Sequence, residues 1–199
     1  GLTANGAVNL NSGIGSTAIT GALSTNNNAL SIIASDLSLT GSINTGASAT
    51  TLNVTNSGAL GLGFSSGFSG MNISNSELAL ITGDLNLING NITAATGTSV
   101  NLIGKLVIGA NGGSITGQGS ITLAATNGLT VDSIINTTGD LSLDGDSNNS
   151  IETSDGITLA SGVSLTSSAG TIALEATNGG VTSPGPVTLN ASGVINLND

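Results

Sequence analysis

Apolar residues recur along this chain as apolar–polar–apolar triplets set between runs of Gly, Asn, Ser and Thr. Examples are Leu37-Ser38-Leu39, Leu52-Asn53-Val54, Leu85-Asn86-Leu87, Val100-Asn101-Leu102, Ile121-Thr122-Leu123, Leu141-Ser142-Leu143, Ile172-Ala173-Leu174 and Ile195-Asn196-Leu197. Period-two alternation over so short a run predicts a strand with one face buried. With single anchors such as Ile92, Ile115, Ile151 and Val181 included, seventeen strand starts lie between Leu78 and Ile195. That is about 7 residues per strand and turn, denser than the roughly 8–12 of a sandwich. Three such strands make a coil of roughly 20–22 residues, within the range of solenoid repeats. No window carries a sustained helical stripe, and Gly, Ser, Thr and Asn are too dense for one, so no helix is predicted.

Longer phrases repeat as well. Gly119-Ser-Ile-Thr-Leu-Ala-Ala-Thr-Asn-Gly128 is echoed by Gly170-Thr-Ile-Ala-Leu-Glu-Ala-Thr-Asn-Gly179, an offset of 51 residues. Ser35-Asp36-Leu37, Gly83-Asp84-Leu85 and Gly139-Asp140-Leu141 share one lead-in to a strand. These offsets are not multiples of a single coil length, which leaves the coil phase open. Asn-Gly pairs at Asn5, Asn89, Asn111, Asn127 and Asn178 supply the φ > 0 conformations that sharp corners need. Asn-Gly also marks hairpins, but strands of three or four residues with a uniform inward pair favour stacking coil upon coil. The expected fold is an all-β solenoid, a parallel β-helix over residues 1–199 as a single repeat region. About nine coils would form a rod on the order of 40 Å long. Both ends read as repeat, without caps, as in a piece of a longer array or a subunit whose open ends pair with neighbours.

Composition narrows the function. Net charge is −10, from eleven acids against the single base Lys105. Nucleic acid is excluded as a partner because phosphate neutralisation needs several cations, and an anionic membrane surface for the same reason. No apolar run approaches the roughly 18 residues of a bilayer span, so no membrane insertion is expected. The absence of Cys fits a cytosolic or a secreted protein and does not assign a compartment.

Catalysis has little to work with. Without His, Cys, Tyr or Arg there is no nucleophile–base dyad and no arginine clamp. Asp36, Asp84 and Asp140 each lead into a strand and would align along one face of a carbohydrate-active β-helix. Turn formation explains them more simply, and no enzyme is expected. The sharpest local signal is residues 144–155, where oxygen ligands fall at loop positions 1, 3, 5, 9 and 12: Asp144, Asp146, Asn148, Glu152 and Asp155. That spacing resembles the EF-hand type of calcium loop, with Ile151 at position 8. It departs from the pattern in Asn149 for the sixth-position Gly and Asp155 for the final Glu. Calcium is the one candidate cofactor. Six Asn-x-Ser/Thr sequons (Asn53, Asn72, Asn91, Asn136, Asn148, Asn190) are expected by chance in so Asn- and Ser-rich a chain. Phe64 and Phe68, the two aromatics, either fill a widened coil, the more common fate, or form an exposed apolar patch that docks a partner.

The phrases Gly-Asp-Leu-Ser-Leu143 and Ile-Thr-Leu-Ala-Ala-Thr-Asn-Gly128 resemble the repeats of filamentous-haemagglutinin-like exoproteins, most clearly over residues 78–199. Those are large bacterial surface adhesins secreted by the two-partner route. The resemblance implies a right-handed parallel β-helix, a secreted, cell-surface location and attachment to a host or neighbouring cell, with glycans among the contacts. The family's N-terminal secretion motifs are not visible. The runner-up expectation is a structural subunit of an extracellular filament or sheath, polymerising through open β-helix ends.

Overall fold

A computed structural model describes residues 1–55, 58–88, 91–109, 113–152 and 155–198. The Asn-Gly pairs at Asn89 and Asn111 lie outside them. The described strands form a parallel β-helix, and every pairing between them is parallel, which removes the hairpin alternative. The chain visits three faces in turn. The first carries Leu2–Thr3, Leu23–Ser24, Thr98–Leu102, Ile121–Ala125, Leu141–Asp144, Ile172–Glu175 and Ile195–Asn198. The second carries Val8–Asn11, Leu30–Ala34, Leu106–Ile108, Leu129–Val131, Ile157–Leu159 and Val181–Thr182. The third includes Asp36–Leu39, Asn91–Ala94, Ser114–Gly117, Ile134–Thr137, Ser164–Ser167 and Thr188–Ala191. Two longer strands, Ile43–Val54 and Ile81–Leu87, run round the corner from the first face to the second.

Register explains the triplets. Leu10, Ile32, Leu52, Leu87, Ile108, Val131 and Leu159 stack one above another on the second face. Val100, Leu123, Leu143, Leu174 and Leu197 do so on the first, and Ile92, Ile115, Ile135, Leu165 and Leu189 on the third. Nearly all of these inward side chains are buried, and each stabilises the rod by roughly 1.5–3 kcal/mol. The intervening polar residues face outward.

Coil lengths come from stacked partners. Leu2 to Leu23, Leu23 to Ile43, Thr98 to Ile121, Ile121 to Leu141 and Ile172 to Ile195 are offset by 21, 20, 23, 20 and 23 residues. Two coils are longer: Ile43 to Ile81 spans 38 residues and Leu141 to Ile172 spans 31. The first surplus holds a doubled strand, with Met71–Ile73 laid beside Leu60–Leu62 on the third face, and a helical turn. The second lies in a long corner between Asp144 and Ile157.

Among the described residues fifteen strands begin between Ile81 and Ile195, not seventeen. The two surplus starts have specific fates. Leu78 ends a helix, Asn75–Leu78, where no helix was expected. Ser74 caps it: its Oγ accepts from Glu77 N–H while the Glu77 carboxylate accepts from Ser74 N–H at 2.9 Å, a reciprocal capping box. Glu77 also accepts from Leu39 N–H at 2.9 Å, tying the turn to the preceding coil. Ile151, taken as a strand anchor, is 87% exposed.

The aromatics also differ from expectation. Phe64 and Phe68 are half-buried and stack on each other, with centroids 4.9 Å apart. Phe68 lies over the outer side of Gly61, where a Cβ would come within 2.6 Å of its ring. The core beneath is filled by Leu60, Leu62, Met71 and Ile73 instead.

Corners bring backbones closer than side chains permit. Gly104 sits at φ +140°, and a Cβ there would lie 2.5 Å from the Gly83 carbonyl of the coil below. Only glycine fits.

Some inward positions hold Thr or Ser, and among the described residues one of these hydroxyls is left uncompensated. Thr50 stacks between Leu30 and Leu85, fully buried, and its hydroxyl has no hydrogen-bond partner. Thr50→Val keeps the shape and removes the desolvated hydroxyl, so thermal denaturation should show a gain of about 1 kcal/mol. Leu143 and Ser142 test the faces. Leu143→Asp buries a charge and should abolish the cooperative β-sheet melt, while Ser142→Asp on the outward side should change stability by less than about 1 kcal/mol, both read by circular dichroism.

Candidate metal centre

The corner between the first and second faces is short in most coils. It is three residues between Ala125 and Leu129, and five between Glu175 and Val181. Between Asp144 and Ile157 it is twelve. This longer corner leaves the rod and returns to its starting point. The Gly145 carbonyl accepts from the amides of both Gly128 and Gly156 at 3.1 Å, closing the neck of the loop onto the coil below. On the other side Gly179 presses against the neck, where a Cβ would lie 2.0 Å from the Asp155 carbonyl oxygen. Because its ends meet within the ladder, the insertion leaves the stack undisturbed.

The five residues of the calcium-like spacing separate into two groups. Asp144 ends its strand and uses Oδ1 to accept from Asp146 N–H at 2.9 Å, turning the chain out of the sheet. Asn148 accepts from Ser150 N–H at 3.2 Å and donates to Glu152 Oε1 at 3.3 Å. These two shape the loop. Asp146, Glu152 and Asp155 converge, with one carboxylate oxygen from each lying within 4.8 Å of the others. Thr153 and Ser154, between them, lie outside the described residues.

Two of these acids are held by one oxygen only. Asp146 is 2% exposed. Its Oδ2 accepts from Asn178 Nδ2 at 2.5 Å, and its Oδ1 has no partner. Asp155 Oδ2 accepts from Glu152 N–H at 2.5 Å, while its Oδ1 is enclosed and unpartnered. Asn178 belongs to the next coil and was not anticipated as part of the site; the Asn-Gly pair that contains it reads locally as a corner and nothing more.

The likeness to an EF-hand loop is only partial. Asn149, in the place of its glycine, does adopt the left-handed conformation at φ +52°. Ile151, in the place of its buried apolar residue, faces solvent. Beside the loop, a groove of about 320 Å³ runs along the corner column, lined by Gly83, Asp84, Ile103, Gly104, Asn127 and Glu152. Asn127 Oδ1 is buried there without a partner.

Asp36, Asp84 and Asp140 do not align. They fall on the third, second and first faces, and each fastens its own coil to the next. Asp36 accepts from Asn72 N–H at 3.1 Å, Asp84 from Lys105 N–H at 2.9 Å and Asp140 from Thr171 N–H at 2.8 Å.

No family model matches this chain, and neither a curated protein nor a solved structure does.

Asn178→Ala leaves the buried Asp146 carboxylate without its one side-chain donor among the described residues. Thermal denaturation in the presence of a chelator should show a loss of about 1–3 kcal/mol.

Proposed function

We propose that this chain is a rod segment of a secreted, cell-surface adhesin of the filamentous-haemagglutinin-like kind, attaching through its outward polar ladders. The observation that carries this reading is on the third face. Thr93, Thr116, Asn136, Thr166 and Asn190 stack in register with their side chains outward. Hydroxyl and amide groups thus repeat once per coil, at the roughly 4.8 Å spacing of stacked strands. They donate and accept without net charge, which suits a neutral polyhydroxyl surface such as a glycan better than a charged polymer. The second face offers a shorter array, with the hydroxyls of Thr158 and Thr182 3.5 Å apart. Among the described residues no helix is long and apolar enough to cross a membrane.

Beads bearing the 199-residue chain should attach to cultured epithelial cells or to a subset of a glycan array. The paired substitution Asn136→Arg and Thr166→Arg should reduce attachment about tenfold or more while the melting profile stays unchanged. Undiminished attachment by that variant would defeat the reading. Assembly of the isolated chain into fibres, seen by electron microscopy, would favour a stacking filament subunit instead.

A further inference from the structure

We infer that the carboxylates of Asp146, Glu152 and Asp155 form a calcium site. Three like charges have oxygens within 4.8 Å of one another, and one of the three, Asp146, is 98% buried. Burial of an anion is unfavourable unless each oxygen finds a donor or a cation. Asp146 Oδ1 and Asp155 Oδ1 find neither, although the second oxygen of each is anchored at 2.5 Å, by Asn178 and by Glu152 N–H respectively. This division of labour is what a cation site requires: one oxygen fixes the carboxylate's orientation and the other is left for the ion.

The donor set selects the ion. All three ligands are hard carboxylate oxygens, and the chain contains no His or Cys to favour zinc or copper. Calcium accepts six to eight oxygens in irregular geometry, so one oxygen from each of three carboxylates can be completed by water on the exposed Glu152 side. Magnesium is a poorer match, because it demands a compact octahedron. The proposed set leaves out Asp144 and Asn148, whose side-chain oxygens accept from the turn amides of Asp146 and Ser150.

Asn178 contacts both Asp146 and the Ser150 carbonyl. Calcium would therefore fasten the projecting loop to the following coil as well as to itself. The site stands apart from adhesion: failure of the third-face variant to lose attachment would leave it untouched.

The intact chain, stripped with chelator and dialysed, is titrated with calcium chloride by calorimetry and melted in parallel. The expected result is one ion per chain, a dissociation constant of about 0.1–1 mM and a melting temperature that rises with calcium. Asp146→Asn keeps an oxygen for Asn178 and should weaken binding about tenfold or more. Asp155→Asn provides the same readout on a half-buried residue, should the first variant fail to fold. Asp132→Asn, away from the loop, should bind as the parent does. Absence of saturable binding, parental affinity in both loop variants, an equal loss in Asp132→Asn, or an equal response to magnesium chloride would each overturn the assignment.

Discussion

The structure depends on a single constraint: each coil must present to the next an inward layer of nearly the same shape. Parallel stacking places Leu, Ile or Val directly above its counterpart along the main inward columns. Neither layer of such a pair is buried without the other. Stability is accordingly shared between neighbours, as in other solenoids, and is not concentrated in one centre. The same constraint governs the corners. Coils that stack at strand spacing leave no room for a Cβ where backbones cross, which is why Gly104 lies so close to the Gly83 carbonyl.

Irregularity is tolerated only where it leaves the ladder intact. The 38-residue coil doubles a strand on one face and seals the corner with a capped helical turn; the 31-residue coil extrudes a closed loop. Both return to register. This resolves the 51-residue echo between Gly119 and Gly170: it spans one coil of 20 residues and one of 31. The duplicated phrases therefore occupy equivalent corners two coils apart.

Many polar groups inside the rod reach a neighbouring coil. Thr98 does so, donating to the carbonyls of Leu62 and Ala95 at 2.9 and 2.8 Å. Ser167 does likewise with the Gly139 carbonyl at 2.8 Å. The carboxylates of Asp146 and Asp155 are each satisfied on one side only. What sets the loop apart is that these half-satisfied carboxylates converge.

Local pattern was enough to establish the β-helix, because inward and outward positions alternate residue by residue and each triplet carries its own burial signal. Leu141, Ser142 and Leu143 could be assigned without any knowledge of their neighbours. The helical turn was also legible, in Ser74-x-x-Glu77, but its length of four residues shows no periodicity. Ile151 misled because an isolated apolar residue carries no alternation to indicate which way it faces. The loop's oxygen ligands could be listed from their spacing, but not sorted. Which carboxylates converge depends on the Gly145–Gly156 neck and on Asn178, 32 residues away from Asp146. Sequence alone determined the repeat and its buried face, since both are properties of neighbouring residues. Only the tertiary structure decided the coil phase, the fate of the phenylalanines and the membership of the carboxylate cluster, since each depends on contacts between coils.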